Sequence, residues 1–197
     1  MDHDGLVQNF FKLVQGIRLC MESRLVTPTL ILVYCGIDIA GWLWTRQDST
    51  PVDRRFIEWT SKYLLPGSPL KCRAVDIYGA RCGLVHTLSA TSNLSVQGKA
   101  RRIIYAWGSS RVETLHEVTQ FFDREQSYVA VQLEDLVVAF STGLDRFLTD
   151  LQKNPKRGAR AYQRAEQFFT DLSESTSQEY LRLAREATGK SQRRPSH

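Results

Sequence analysis

The amino-acid sequence predicts a mainly α-helical protein, an antiparallel helical bundle with a small two-stranded β element and additional C-terminal helices. Three observations lead to this prediction. Apolar residues recur with helical spacing along most of the chain, and short polar, proline or glycine segments separate these stretches. One stretch, residues 29–44, is apolar on nearly every side. Helices joined by short turns pack antiparallel, and a helix that is apolar all round belongs in the middle of the bundle.

Four helices are expected in the first half of the chain. Their apolar periodicity places them at about residues 4–24, 27–44, 51–64 and 68–88. Ser68-Pro69 predicts the start of the fourth helix, because a hydroxyl can cap open N–H groups and proline suits a first helical turn.

The second half predicts a β element and further helices. Residues 101–107 and 127–131 are rich in β-branched and aromatic side chains and can pair as a two-stranded ribbon. Residues 111–122 between them have a helical pattern, and the ribbon should pack on the bundle because two strands alone are marginally stable. Later helices are expected at residues 133–151, 158–172 and 177–188.

Composition indicates one soluble globular domain. Of the 197 residues, 42% are hydrophobic and 24% charged, which supports a sizeable core and excludes a disordered chain. The net charge of +5 arises after residue 152, and a basic tail either favours polyanions or serves solubility alone. We expect a single domain over residues 1–190, with a core of about 4–150, additional helices over about 155–188 and a frayed tail at 191–197.

The cysteines and the N-terminus predict a cytoplasmic protein. The four cysteines form no C-x-x-C pair, so neither zinc nor another metal is expected. No apolar leader precedes them, and free thiols fit a reducing compartment. Residues 29–44 are short for a membrane span and contain Asp38, so we predict a core helix and no membrane partner.

The fourth predicted helix carries the most informative pattern. Arg81 occupies a position in its apolar stripe where an apolar residue is expected, and an unpaired guanidinium there would be costly. A second line on this helix contains Gly79, Gly83 and His86, and two glycines in a helix usually let another backbone come close. Asp38 also needs a partner in its apolar helix, with Arg81 the natural candidate and His86 the second.

Arg81 and His86 form an R-x4-H pattern within the segment YGARCGLVH. The same spacing occurs at Arg111 and His116, but those residues lie among acidic and polar neighbours on what is predicted to be a solvated face. The sequence context therefore favours the first pair as the candidate site.

The segments GIDIAGWL, FIEWTSKYLLP, YGARCGLVH and GKARRIIYAWG together resemble a bacterial branch of the HEPN superfamily, helical proteins of nucleic acids and nucleotides. The resemblance covers roughly residues 25–150. It implies an HEPN-like bundle and a homodimer in which Arg81 and His86 of both chains form one composite site. The implied activity is a metal-independent endoribonuclease without a cofactor, which leaves a 2′,3′-cyclic phosphate and a 5′-OH.

The resemblance also suggests roles for neighbouring residues. In such a site the histidine takes the proton of a ribose 2′-OH, while the arginine holds the phosphate. Asp76 is expected at the polar edge of the interface, and Tyr78 either donates a hydrogen bond to substrate or packs. Three basic residues near the first strand either contact phosphates of a nucleic acid or form a solvated strand start: Lys99, Arg101 and Arg102.

One departure from the family keeps two other hypotheses open. Active members usually carry a polar residue, often asparagine, directly after the arginine, where this chain has Cys82. A non-catalytic dimeric module that binds RNA or nucleotides in a defence or toxin–antitoxin system, with an antitoxin as partner, is the first alternative. A purely structural interaction protein is the second.

Overall fold

The structure is a computed structural model that describes residues 3–122, 124, 126–168, 177–179, 181–183 and 185. It is mainly helical, with one small two-stranded sheet in the described part. In chain order the elements are α1 (His3–Glu22), α2 (Val26–Trp44), α3 (Val52–Trp59), α4 (Ala74–Thr87), α5 (Asn93–Val96), β1 (Arg102–Ala106), α6 (Val112–Phe121), β2 (Tyr128–Gln132), α7 (Leu133–Lys153) and α8 (Pro155–Ala165).

The chain divides into two compact units, residues 1–166 and residues 167–197. All the elements named above lie in the first unit. In the second unit, residues 177–179, 181–183 and 185 are helical, and Arg182 forms an ion pair with Glu179 at 2.6 Å. The predicted helix over 158–172 corresponds to α8, and its last residues lie outside the described part, as does the predicted tail at 191–197.

Helix α2 is the centre of the first unit. It packs against α1, α3, α4, α7 and α8, and Val33, Tyr34 and Ile37 are completely buried. By length and a mean hydropathy of 1.6 it could cross a membrane, but half of that apolar window is buried against the other helices. The central position that its all-round apolar sequence predicts is confirmed.

The third helix continues beyond α3 as a wider turn over Thr60–Leu64. There the Leu65 N–H donates to the Thr60 carbonyl at 3.0 Å, five residues back. This turn directs Tyr63 into an aromatic cluster with Trp59 and Phe147, whose ring centroids lie 5.5–6.2 Å apart. The cluster joins the third helix to α7.

Strands β1 and β2 pair as predicted, and the pairing is parallel. Arg102 lies opposite Tyr128, and Ala106 lies opposite Gln132. Because α6 carries the chain from one strand to the other, both strands run in the same direction, whereas a short turn would have made a hairpin. The sheet packs on the bundle, and the hydroxyl of Tyr105 in β1 hydrogen-bonds that of Tyr34 in α2.

The start of the fourth helix differs from its prediction. Ser68 donates its hydroxyl and its N–H to the Leu65 carbonyl, at 2.8 and 3.1 Å, so it closes the preceding helix and begins no new one. Helix α4 starts at Ala74, and the Arg73 N–H donates to the Asp76 carboxylate at 2.9 Å. The hydrogen bond of a capping box therefore positions α4, with an arginine at the cap where serine was expected.

Candidate functional site

A hydrogen-bonded chain of three side chains links the middle of α2 to the end of α4. Arg81 Nε donates to Asp38 Oδ2 at 2.7 Å, and Arg81 Nη2 lies 2.6 Å from the same oxygen. Arg81 Nη1 lies 2.9 Å from His86 Nε2. The predicted contact between Asp38 and Arg81 is confirmed. His86, the second predicted partner, is connected to Asp38 through Arg81.

The contact with Arg81 fixes the form of the histidine ring. A guanidinium has N–H donors only, so His86 Nε2 has to accept in this contact. The neutral ring then carries its hydrogen on Nδ1. His86 is exposed, whereas only 14% of the Arg81 side chain is accessible, so the arginine is held in place and the imidazole faces solvent.

Asp38 is incompletely satisfied in this arrangement. Its Oδ1 atom is buried and has no hydrogen-bond partner among the described residues. Burial raises the pKa of the Asp38 carboxyl above its ordinary value, and the positive charges of Arg81 and Arg55 only partly oppose this effect. Burial therefore disfavours the ionised form of Asp38, and this carboxylate holds Arg81 through one oxygen, Oδ2.

A cleft of about 590 Å³ opens beside His86. Tyr78, Cys82 and His86 line it from successive turns of α4, and Asp53 lines it from α3. Residues 91–94 and Val96 form the remaining wall. The volume falls in the range of roughly 300 to 1,000 Å³ that is usual for small-molecule sites.

Tyr78 supplies a neutral hydroxyl to this cleft. Its ring packs against Phe56 with a centroid distance of 5.3 Å. Burial and the neighbouring Cys82 raise the pKa of Tyr78 to about 12, so the phenol remains protonated at neutral pH. Both roles predicted for Tyr78, a hydrogen bond to substrate and packing, are compatible with its position. Its ring packs against Phe56, and Tyr78 also lines the cleft.

The glycine line on α4 is covered by the chain itself. A Cβ atom on Gly83 would lie 2.5 Å from the Ser89 carbonyl oxygen, and one on Gly79 would lie 2.9 Å from the Ala100 Cβ. Gly83 therefore admits the backbone of the segment after α4, and Gly79 admits side chains of the same segment. The close neighbour that the glycines indicate is therefore the chain itself, and a homodimer interface at or beside this part of α4 stays a prediction.

Asp76 lies away from the candidate site. It is completely buried, and its two oxygens accept hydrogen bonds from both Arg73 and Arg101 at 2.8–3.3 Å. Although burial acts in the opposite direction, these bonds hold the pKa of Asp76 below its ordinary value. The prediction that Asp76 forms the polar edge of an interface is wrong, because it fastens β1 to the start of α4.

The three basic residues predicted to contact nucleic acid are not gathered at the cleft. Arg101 binds Asp76 and also donates to the Lys71 carbonyl at 3.0 Å, so the fold uses it. Arg102 donates to the Tyr128 hydroxyl at 3.1 Å and lies over that ring. Lys99 is exposed, and a contact from it to phosphate stays a prediction.

The second R-x4-H pair is not assembled into a site. Arg111 lies 3.7 Å from Glu113 on an exposed surface. Burial and the charge of Lys71 lower the pKa of His116. Arg81 contacts His86, whereas Arg111 lies beside Glu113, and the choice of the first pair as the functional one stays a prediction.

Sequence reasoning missed the far wall of the cleft. Asp53 comes from the first turn of α3, and Thr91, Ser92 and Asn93 come from the segment that covers the glycines. No motif links these positions to His86, because only the folded path of residues 89–100 brings them together. The two glycines were the available signal, since they required a neighbouring backbone whose identity the sequence did not give.

Among the described residues, no three His, Cys, Asp or Glu side chains lie together as a group that could hold a metal ion. All four cysteines are free thiols. Comparison of the chain with protein-family models, with curated proteins and with solved structures found no match. The chemistry of the site is therefore inferred from its own residues.

Proposed function

We propose that Arg81 and His86 form a metal-independent RNA-cleaving site of the HEPN type, completed by a second copy of the chain. The observation that carries this proposal is the hydrogen-bonded chain from Asp38 through Arg81 to His86 beside an open cleft. It places a guanidinium and a neutral imidazole next to each other, with the imidazole accessible to a substrate.

The guanidinium can hold the scissile phosphate. Each terminal nitrogen of Arg81 has a second N–H besides the one directed at Asp38 or His86. Paired N–H groups match two phosphate oxygens and stabilise the charge that grows on them in the transition state. Asp38 acts as a positioning residue, because it fixes the plane of the guanidinium.

The imidazole can then act as the base. When phosphate binding turns Arg81 Nη1 away from the ring, the lone pair on His86 Nε2 becomes free to accept the proton of a ribose 2′-OH. The 2′-oxygen forms a bond to phosphorus, the bond to the 5′-oxygen breaks, and the leaving oxygen needs a proton. In the composite site, the second copy's ring acts as the imidazolium, released from its own Arg81: its Nε2–H gives the proton to the leaving 5′-oxygen and that ring becomes neutral. The first ring is left protonated, and a 2′,3′-cyclic phosphate and a 5′-OH result.

The test is cleavage of single-stranded RNA in EDTA by the wild-type chain and by His86→Ala. We expect a loss of about 100-fold or more, the usual contribution of a general base, with unchanged circular dichroism. His116→Ala is the matched control, since it removes a histidine at the same R-x4-H spacing, and it should cleave at the wild-type rate. Full-rate cleavage by His86→Ala would exclude this role for His86.

The second copy is tested separately. Size-exclusion chromatography with light scattering should give the mass of a dimer at the concentrations used for cleavage. A monomer that cleaves RNA at full rate would show that one chain supplies both proton transfers, and the composite site would be rejected.

A non-catalytic RNA- or nucleotide-binding module is the second candidate. Two observations favour it: Arg81 is already bound to Asp38, and Cys82, a weak donor, follows it. This candidate predicts RNA binding without turnover that Arg81→Ala weakens. Cys82→Asn separates the candidates, because cleavage gained in that variant supports a site that has kept its geometry and lost one polar group.

A further inference from the structure

A second cleft lies where the end of α2, the turn after it, α3 and the start of α8 come together. Its volume is about 330 Å³. Three arginines line it against a single glutamate, Glu58: Arg46, Arg54 and Arg157. Trp44 adds an aromatic surface, so a small cleft combines excess positive charge with an indole ring.

Two of the arginines are held by acidic partners. Arg157 pairs with Asp150, which also accepts hydrogen bonds from Tyr63 and from Lys62, and only 15% of the Arg157 side chain is accessible. Arg54 Nε donates to Glu58 at 2.8 Å. Because the Arg157 side chain is mostly buried in its contact, its guanidinium loses little conformational entropy when it binds an anion, whereas the Arg54 pair is exposed.

The charge of the third arginine, Arg46, is not offset by an ion pair in the described structure. Arg46 is exposed, and its side chain makes no ion pair within the described part of the chain. It follows Trp44 by two residues, so its charge and the indole ring reach the same cleft from one end of α2. An anion that entered would meet positive charge that no carboxylate neutralises.

Hydrogen bonds from Arg164 and Thr45 hold the turn that carries Arg46 in place. Arg164 is buried and donates to the carbonyls of Trp42 and Thr45 at 2.6 and 2.7 Å, and to Asp48 at 2.6 Å. The hydroxyl of Thr45 donates to that of Thr50 at 2.9 Å across the turn. The cleft is therefore largely formed before any ligand arrives, as small-molecule sites usually are.

We propose that this cleft binds a small phosphate monoester that carries an aromatic ring, of the size of a nucleoside monophosphate. Arg46 and Arg157 bind the phosphate, and Trp44 packs against the ring. The volume of about 330 Å³ suits a ligand of that size. This site is separate from Arg81 and His86, so the proposed ligand binding does not depend on RNA cleavage.

The experiment is titration calorimetry of the full chain with the four ribonucleoside 5′-monophosphates, which contain no bond that the proposed ribonuclease cleaves. Inorganic phosphate and the free nucleosides are titrated separately. We expect one monophosphate bound per chain, more tightly than phosphate or nucleoside alone. Arg46→Glu should weaken it by about tenfold or more, as expected for a lost charged hydrogen bond.

A matched variant locates the binding. Arg111→Glu makes the same charge change on the exposed start of α6 and should leave the affinity unchanged. The proposal is overturned if no monophosphate binds at millimolar concentration or if inorganic phosphate binds equally well. Equal weakening by Arg46→Glu and Arg111→Glu would also overturn it, because that result indicates general charge attraction.

Discussion

Two aspartates, Asp76 in the first turn of α4 and Asp38 in α2, form ion pairs with arginines, and their environments are opposite. Asp76 is completely buried, and both of its oxygens accept hydrogen bonds from two arginines. Asp38 uses one oxygen for Arg81 and leaves the other buried without a partner in the described structure. The pKa of Asp76 is accordingly lowered and that of Asp38 is raised.

The difference indicates what each carboxylate is for. A buried carboxylate with every lone pair used holds elements together, and Asp76 joins the start of α4 to β1. A carboxylate that is only partly satisfied keeps its arginine in position at a cost in stability, which is common at functional sites. Ion pairs of the same residue types therefore serve the fold at one end of α4 and the candidate site at the other.

The largest expected effect is that of Asp76→Ala on stability. Removing one partner of a buried ion pair costs about 3 to 5 kcal/mol, and we expect the lower end because Arg73 and Arg101 keep some contact with solvent. Asp38→Ala should cost about 1 kcal/mol, since it also removes an unsatisfied buried oxygen. Urea unfolding of both variants measures the difference, and equal losses would remove the distinction between the two sites.

A smaller effect is expected for the basic residues before β1. Arg101→Ala should lower the free energy of unfolding by about 2 kcal/mol, because it removes charged hydrogen bonds to Asp76. Lys99→Ala, two residues earlier and exposed, should change it by less than about 0.5 kcal/mol. If Lys99→Ala were the more damaging change, Arg101 would not be the residue that fastens β1.

The smallest effect is a pH dependence of opposite sign for the two carboxyls. Asp76 has a folded pKa below 3.8, so its contribution is complete above that value and is lost as pH falls through the lowered pKa. Asp38 has a folded pKa above 3.8, so its contribution is complete below that value and is lost as pH rises through the raised pKa.

Urea unfolding of the Asn variants tests these signs. Relative to wild type, the deficit of Asp76→Asn should shrink on acidification from about pH 4.5 to about pH 3, and that of Asp38→Asn should grow from about pH 7 to about pH 4. Deficits that move in the same direction for both variants would contradict the assigned pKa shifts.

The contrast between the two aspartates also shows how far the sequence leads. The Asp38–Arg81 pair was predictable, because each charge interrupts an apolar helical stripe and a buried charge needs a partner. The role of Asp76 was not, since its second partner Arg101 lies 25 residues away and no local pattern connects them. The false helix start at Ser68 had a local origin instead, because a hydroxyl that can cap a helix can equally donate to the preceding one.

The β element and the glycines show the same limit. The strand segments and the helix between them followed from residue type, but the parallel direction did not, because a connecting helix permits a parallel pair without requiring one. The glycines correctly indicated a close neighbour, but only the path of residues 89–100 shows that it is the chain itself. Local patterns therefore predicted the elements, and the cleft needed their arrangement in space.

In the proposed function Arg81 and its neighbours serve chemistry, while Asp76 and Arg101 serve the fold. The most direct test measures, for Asp38→Asn and Arg101→Ala, both the urea midpoint and the rate of RNA cleavage in EDTA per folded molecule. We predict that Asp38→Asn keeps most of its stability and loses about tenfold or more in rate, the scale of a misplaced catalytic group. Arg101→Ala should lose stability and keep its rate. The opposite pattern, or a rate unchanged in both variants, would contradict this division of roles between the two arginine–aspartate pairs.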